Sequence, residues 1–279
     1  MRLYWDKRQL IEQIKIKRSF LCVGLDTEIE KIPKHLLLTD DPVFEFNKAI
    51  IKATSDLCIA YKPNWAYYEA MGINGMNSLQ KTLAYIPNDC MIIADAKRGD
   101  IDTTASRYAK AFYDGWNVDA VTLSPYMGQD SIMPYLTHQG KYAILLGLTS
   151  NSGANDIQLK KTDDAHYIFE EMIATSKVWG NPDNMMYVVG ATKAEYMMKI
   201  RKIIPDHFWL VPGIGAQGGN FEEVIKYGIN DQVGLIINNT RGIIYQSSET
   251  DFDVKARAEA LKWQQKMEPI VLEKFALNS

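Results

Sequence analysis

The sequence predicts a (β/α)8 barrel with one extra helix at the N-terminus. Three observations favour this fold class. Eight short apolar runs recur along the 279 residues, and helical patterns separate them. The runs are continuously apolar rather than alternating, which is typical of a parallel sheet covered on both faces. A doubly wound open sheet would show the same alternation, because strand order cannot be read from sequence.

The predicted elements follow one another in regular order. The predicted strands are rich in β-branched or aromatic residues and lie at Phe20–Leu25, Leu57–Tyr61, Met91–Ala94, Ala120–Leu123, Tyr142–Leu146, Met186–Val189, Phe208–Val211 and Val233–Ile237. The predicted helices lie at Pro42–Ile51, Thr104–Gly115, Asp163–Lys177, Thr192–Ile203, Asn220–Tyr227 and Asp253–Phe275, and residues 1–19 should form the extra helix beneath the barrel. The helix from Pro42 has the clearest start, with an aspartate before it and proline in its first turn.

The domain organisation is expected to be simple. No linker or break in composition divides the chain, so we expect one barrel domain over residues 1–279. The longest connection, Thr149–Asn184, begins with turn-forming residues. Long loops after barrel strands are where such enzymes carry their specificity.

Composition excludes several classes of function. The net charge of −3 and the pI near 5.9 argue against a protein that binds nucleic acid or a membrane surface. No N-terminal signal core and no run of 18 apolar residues is present. Cys22, Cys58 and Cys90 each lie in or beside an apolar run, which predicts buried thiols in a reducing cytoplasm. The four histidines are far apart and show no metal-ligand spacing, so no metal site is expected.

The segment Asp95–Ile101, which follows the apolar run Met91–Ala94, is the most informative for function. Residues two apart in a strand share a face, so Asp95 and Lys97 should point the same way, and Gly99 lets the chain turn before Asp100. Such charges alone could belong to an ordinary solvated strand end.

Charged residues at other strand ends change that interpretation. Asp26 follows the first apolar run, and Lys62 follows the second. The carboxyl ends of barrel strands meet over one mouth, so these side chains should converge with Asp95 and Lys97. Charged residues at such positions are typical of catalysis.

A glycine-rich turn indicates the kind of ligand. Gly213–Gly218 matches G-x-G-x-x-G between a strand and a helix, a pattern that also occurs in dinucleotide-binding folds. Here the pattern follows the seventh strand, and no acidic residue ends the next strand at Ile236–Asn238. Barrel loops after strands seven and eight commonly bind phosphate, so this turn and Arg241 together predict a phosphorylated ligand.

These segments resemble the orotidine 5′-phosphate decarboxylase family, in particular its longer bacterial chains. The resemblance covers nearly the whole chain and rests on Ile93–Ile101, which contains D-x-K-x-x-D-I, and on Val23–Asp26, Tyr61–Asn64, Val211–Gln217 and Asn239–Ile243. It implies decarboxylation of orotidine 5′-phosphate to UMP and carbon dioxide, the last step of UMP synthesis. It further implies that no cofactor is used and that the enzyme is a homodimer with shared active sites.

The resemblance also implies roles for individual residues. It assigns the catalytic charge array to Lys62, Asp95, Lys97 and Asp100, with Lys97 donating the proton to C6 and Asp100 reaching the neighbouring subunit's site. It assigns substrate contacts to Asp26 and Lys62 for the ribose, Ile101 and Thr104 for the partner's site, Ser150 for the pyrimidine (with Thr149 and Ser152 as alternatives), Pro212 beside the base, and Gly213, Gly215, Gln217, Thr240 and Arg241 for the phosphate.

Three other functions fit parts of the pattern. The related 3-keto-L-gulonate 6-phosphate decarboxylases share D-x-K-x-x-D but need magnesium, held by a carboxylate where this chain has Lys62. A Schiff-base aldolase would use Lys97 as its nucleophile, whereas the neighbouring carboxylates favour a protonated lysine. A non-enzymatic nucleotide-binding barrel would not need Asp95 beside Lys97.

Overall fold

Eight parallel strands close into a barrel in the computed structural model, which describes residues 3–191, 193–214 and 219–276. The strands are β1 (Leu21–Leu25), β2 (Ala60–Pro63), β3 (Met91–Arg98), β4 (Ala120–Leu123), β5 (Tyr142–Leu148), β6 (Met185–Val189), β7 (Trp209–Pro212) and β8 (Leu235–Asn239). Each strand pairs with the next, and β8 pairs with β1. The predicted (β/α)8 barrel is therefore confirmed, and the open sheet is wrong.

Helices connect the strands around the outside of the barrel. They are α1 (Lys7–Lys17) before β1, α2 (Pro42–Thr54) after β1, α3 (Trp65–Glu69) and α4 (Gly72–Tyr85) after β2, α5 (Asp102–Lys110) after β3, α6 (Gln129–Leu136) after β4, α7 (Ile168–Ser176) after β5, α8 (Ala194–Ile203) after β6, α9 (Phe221–Gly228) after β7, and α10 (Arg241–Ile244) and α11 (Phe252–Phe275) after β8. No described helix is both long enough and apolar enough to cross a membrane.

Helix α1 is the extra N-terminal helix, and it lies beneath the barrel as expected. Asp6 caps it, because the Asp6 carboxylate accepts a hydrogen bond from the backbone N–H of Gln9 at 2.7 Å. At its other end the buried Lys17 donates to the carbonyl oxygens of Ser55 and Cys58, at 2.9 and 3.0 Å. Those carbonyls precede β2, so α1 closes the end of the barrel opposite the strands' carboxyl ends.

Burial of the strands agrees with their composition. Every residue of β1, β2, β4, β6 and β8 is buried, as expected for strands covered by helices on one face and barrel core on the other. Cys22, Cys58 and Cys90 are buried, which confirms the prediction for their side chains.

Strand β3 departs from the prediction in a way that shapes the site. It continues past Ala94 to Arg98, so the charged residues lie within the strand rather than after it. Its register against β4 shifts between Ala94 and Arg98, and Lys97 has a left-handed backbone with φ of 48°. The left-handed conformation is thus at Lys97, and Gly99, where we expected the chain to turn, does not adopt it.

Several helices were not predicted from the sequence or differ in length from the predicted ones. Helices α3, α4 and α6 were not predicted, and α7 begins at Ile168 rather than Asp163. Helix α4 is hard to predict because it contains Gly75, and glycine disfavours helix. A Cβ at position 75 would lie 2.2 Å from the carbonyl oxygen of Tyr68 in α3. Close packing of two helices therefore requires a residue that disfavours helix.

Candidate active site at the carboxyl ends of the strands

Charged side chains from the first three strands meet at the barrel mouth. Asp26 follows β1, Lys62 lies in β2, and Asp95 lies in β3. The Nζ of Lys62 donates to Oδ2 of Asp95 at 2.7 Å and lies 3.8 Å from Oδ1 of Asp26. The convergence expected from the strand ends is therefore present within one chain.

Lys97 reaches the same carboxylate from the irregular part of β3. Its Nζ donates to Oδ1 of Asp95 at 2.6 Å, and half of its side chain is exposed to solvent. As expected, Asp95 and Lys97 project to the same side. The Asp95 carboxylate therefore holds one ammonium group on each oxygen.

Burial and charge set the ionisation of these groups. Burial alone would raise the pKa of Asp95, but Lys62 and Lys97 outweigh it and hold that pKa well below its ordinary value. Burial would lower the pKa of Lys62, yet Asp95 and Asp26 raise it well above the ordinary lysine value. Asp95 and Lys62 are thus both charged at neutral pH.

Asp26 has a different environment from Asp95. Burial, assisted by the nearby Asp95 charge, raises its pKa despite the opposing effect of Lys62. Among the described residues its buried Oδ1 accepts no hydrogen bond. That oxygen lies 3.8 Å from the Nζ of Lys62, and Asp26 lines the cavity described next.

A cavity of about 170 Å³ opens beside these charges and collects many of the predicted site residues. Its lining consists of Asp26, Lys62, Asp95, Pro212, Gly213, Ile214, Asn238, Asn239, Thr240 and Arg241. Ile214, Asn238 and Asn239 were missed. The asparagines could have been found, because they end β8 immediately before Thr240.

Lys97 and Ser150 do not line this cavity, and neither do Asp100, Ile101 and Thr104. Asp100 accepts a hydrogen bond from the N–H of Ile101 at 2.8 Å, and it makes no ion pair with any residue in the described part of the chain. Ile101 and Thr104 are exposed at the start of α5. The structure of one chain therefore does not bring these residues to Lys97 and Asp95.

The predicted pyrimidine contact is exposed, and residues 215–218 of the glycine-rich turn lie outside the described residues. Ser150 is exposed just after β5. Its alternative Thr149 is engaged locally, donating to Asn151 at 2.6 Å and accepting from Gln158 at 2.8 Å. Gly215 and Gln217 lie outside the described residues.

Gly24 in β1 makes room for Thr240 at the edge of the cavity. A Cβ on Gly24 would lie 1.8 Å from Oγ1 of Thr240, so a larger residue cannot fit while Thr240 keeps its position. The same oxygen accepts from Nδ2 of Asn238 at 3.3 Å. Thr240 immediately precedes Arg241, which was predicted to bind phosphate together with the glycine-rich turn.

The residues at the barrel mouth are poorly suited to binding a metal ion. In the described ranges, no three His, Cys, Asp or Glu side chains come together as a metal site. The carboxylates of Asp26 and Asp95 flank the Lys62 ammonium, which would repel a metal ion.

The fold and the mouth define a (β/α)8-barrel enzyme with a charged site beside a candidate phosphate turn. Residues 19–256 match the model of the orotidine 5′-phosphate decarboxylase / HUMPS family, and the chain belongs to that family. The family assignment made from the sequence is confirmed.

Similar proteins cover nearly the whole chain. The orotidine 5′-phosphate decarboxylase of Flavobacterium johnsoniae is 58% identical over 271 residues, which cover 96% of this chain and 99% of the relative. That of Phocaeicola vulgatus is 54% identical over 269 residues, covering 95% and 99%. The solved structure of Leishmania donovani OMP decarboxylase superposes with a TM-score of 0.81 at 32% identity and covers 96% of this chain and 99% of that one.

Replacing Gly24 by alanine should destabilise the protein through its contact with Thr240. We expect Gly24→Ala to lower the free energy of unfolding by about 1–3 kcal/mol, because overpacking strains the neighbouring turn. Thr240→Gly should restore most of that loss in the double variant. Urea denaturation measures the free energy of unfolding of the two single variants and the double variant. Gly115→Ala is the control, since a Cβ there meets only the Lys110 carbonyl oxygen at 4.0 Å. Additive effects of the two substitutions would contradict the contact.

Proposed function

We propose that this chain decarboxylates orotidine 5′-phosphate to UMP and carbon dioxide, the last step of UMP synthesis, and needs no cofactor. The observation that carries the proposal is the Asp95 carboxylate held between the ammonium groups of Lys62 and Lys97 at the barrel mouth. Membership of the family and the names of its close relatives support the same reaction.

Lys97 is the proton donor in this proposal. Loss of carbon dioxide from C6 leaves an electron pair in the plane of the ring, where the π-system cannot delocalise it. A positioned ammonium stabilises that developing charge and then transfers a proton to C6. Lys97 suits this role because its half-exposed Nζ lies at the mouth and Asp95 keeps a counter-charge beside it.

Asp95 contributes by its negative charge. In the proposed pose the substrate carboxylate lies beside Asp95, and two unit charges about 4 Å apart repel by about 4 kcal/mol at an effective dielectric of about 20. That repulsion disappears as neutral carbon dioxide forms. Lys62 keeps Asp95 ionised while the substrate binds, since it donates to the oxygen that Lys97 does not use.

Contacts with the rest of the nucleotide come from the other strand ends. Asp26 and Lys62 hold the ribose hydroxyls, and Pro212 lies beside the base. Arg241, the Thr240 backbone, Gly213, Gly215 and Gln217 bind the phosphate, and Ser150 contacts the pyrimidine. Binding energy from the distant phosphate then supports the transition state at C6.

The alternatives fit the mouth less well. A magnesium-dependent decarboxylase would need a carboxylate in place of Lys62, whose ammonium instead lies between Asp26 and Asp95. A Schiff-base aldolase would need a neutral Lys97, whereas this lysine donates to Asp95 at 2.6 Å. A binding module without turnover would not need the buried pair of Lys62 and Asp95, whose desolvation costs free energy.

We further propose that the enzyme is a homodimer in which Asp100 completes the partner's site. The Asp100 carboxylate has no ion-pair partner in the described residues of its own chain. Exposed apolar side chains follow β3, β4 and β5, in the loops and at the start of α7: Ile101, Tyr126, Met127, Ile157 and Ile168. Three of these, Tyr126, Ile157 and Ile168, line a cavity of about 330 Å³.

This apolar surface favours a second copy of the chain as its partner. An isologous interface buries the same surface of both subunits and so carries Asp100, Ile101 and Thr104 of each chain toward the other's mouth. A single barrel domain over residues 1–279 and a cytoplasmic location complete the proposal.

Turnover of orotidine 5′-phosphate in the presence of EDTA tests the function directly. We expect the purified chain to remove the substrate's absorbance at the same rate with and without the chelator, because no step requires a metal ion. Loss of activity in EDTA that magnesium restores would favour the magnesium-dependent alternative. Failure to turn over the substrate under either condition would exclude the proposed function.

Mixed dimers test the shared site. Lys97→Ala and Asp100→Ala homodimers should each be nearly inactive. After subunit exchange, a mixed dimer has one site with both substitutions and one site with neither. Equal amounts of the two variants should therefore recover about a quarter of wild-type activity, since about half the dimers are mixed.

Differently tagged subunits, recovered together on one affinity resin, establish that exchange has occurred. Each variant exchanged with a tagged copy of itself is the matched control and should stay inactive. Proven exchange with no recovered activity would show that Asp100 acts in its own subunit.

A further inference from the structure

We infer that Thr122 is a positioning residue for the charge array: its hydroxyl group fixes the part of β3 from which Asp95 and Lys97 project. The inference deepens the proposed function, on which its effect on turnover rests. Its geometric basis is independent of the substrate.

The hydroxyl of Thr122 uses its full hydrogen-bonding capacity on β3. Thr122 lies in β4 and is 1% exposed. Its Oγ1 accepts from the backbone N–H groups of Ala96 and Lys97, each at 3.0 Å. The same oxygen lies 3.1 Å from Oδ1 of Asp95 and 3.5 Å from the Ala94 carbonyl oxygen, and it donates its proton to the nearer, charged acceptor. A hydroxyl has one proton and two acceptor lone pairs, so all three are engaged.

These contacts replace regular strand pairing at the point where it fails. The ladder between β3 and β4 pairs Ala94 with Val121 and resumes only at Arg98 with Leu123. Between them, the N–H groups of two successive β3 residues turn to one side-chain oxygen of β4. The Thr122 hydroxyl therefore accepts the hydrogen bonds that a backbone carbonyl of β4 would accept in a regular ladder.

The conformation of Lys97 needs such support. Its φ of 48° lies in the left-handed region, which costs free energy for any residue with a side chain and persists only where the surroundings fix it. The Lys97 N–H bond to Thr122 is part of that fixation. If it were lost, the irregular segment could relax and carry the Nζ of Lys97 away from Asp95.

Thr122 also orients the carboxylate itself. Oδ1 of Asp95 receives both the Lys97 ammonium and the Thr122 hydroxyl, at 2.6 and 3.1 Å. One buried hydroxyl thus joins the acid, its neighbouring ammonium and the backbone that bears both. Neither Thr122 nor β4 lines the described mouth cavity, so Thr122 acts through these groups and not on the substrate.

Substitution of Thr122 by valine or serine distinguishes the role of its hydroxyl group from that of its side-chain volume. Thr122→Val keeps the volume but removes one hydrogen-bond partner from the N–H groups of Ala96 and Lys97 and from a carboxylate oxygen of Asp95. We expect its kcat to fall about a hundredfold, because small displacements of a catalytic group have effects of this size. The KM and the dissociation constant of UMP should change by less than about threefold, since ribose and phosphate contacts are intact. Thr122→Ser keeps the hydroxyl and should restore kcat to within about fivefold of wild type.

A matched control distinguishes positioning from general loss of stability. Thr54→Val removes another buried hydroxyl, which lies 2.8 Å from the Ile50 carbonyl oxygen and 2.7 Å from the Tyr61 hydroxyl. Thr54 contacts neither Asp95 nor Lys97 and does not line the mouth cavity, so this variant should leave kcat unchanged. Hydrogen exchange followed by mass spectrometry gives a readout without substrate. Exchange in the peptide covering residues 91–98 should accelerate in Thr122→Val and not in Thr122→Ser or Thr54→Val. If Thr122→Val does not fold, Thr122→Ala carries the same test.

The outcomes separate the inference from the proposed function. An inactive wild type would overturn the proposed reaction, while the exchange measurement would still test whether Thr122 holds β3. Thr122→Val with wild-type kcat and wild-type exchange would overturn the inference. Equal losses in Thr122→Val and Thr122→Ser would also overturn it, because the hydroxyl would then not be the responsible group.

Discussion

The pairing of Asp95 with two ammonium groups is the interaction on which the site depends. Taking a carboxylate and an ammonium out of water costs several kcal/mol for each ion, which only close, well-oriented partners offset. Lys62 is almost fully buried, and without Asp95 only Asp26, 3.8 Å away, would balance its charge. The cavity and the proposed proton donor both lie beside this carboxylate. A change at Asp95 should therefore disturb both lysines at once.

Much of the fold could be predicted because it follows from burial. Strands covered on both faces must be apolar throughout, so eight short apolar runs indicate a parallel sheet. Once that sheet closes, its carboxyl ends meet, which brings Asp26, Lys62 and Asp95 together from distant parts of the sequence. The elements that escaped prediction are those where packing overrides local preference, such as the glycine of α4 against Tyr68.

The finer features of the site depend on contacts that no local pattern records. The irregular β3 segment is held by Thr122, which lies 25 residues beyond Lys97 in sequence. Gly24 is required by the side chain of Thr240 on the other side of the barrel seam. The place of Asp100 depends on a second chain in our proposal, so neither sequence spacing nor one subunit can establish it. In each case the determining partner is distant along the chain or belongs to another molecule.

The most direct test of the account is the effect of Asp95→Asn on turnover and product binding. Asparagine keeps the shape of the side chain and removes its charge, with Asp114→Asn as a control for an exposed carboxylate paired with Lys110 at 3.0 Å. We expect turnover of orotidine 5′-phosphate to fall about a thousandfold or more, because the charge acts on the reacting carbon. The dissociation constant of UMP should change by less than about tenfold. Turnover within about tenfold of wild type would show that the Asp95 charge is not central.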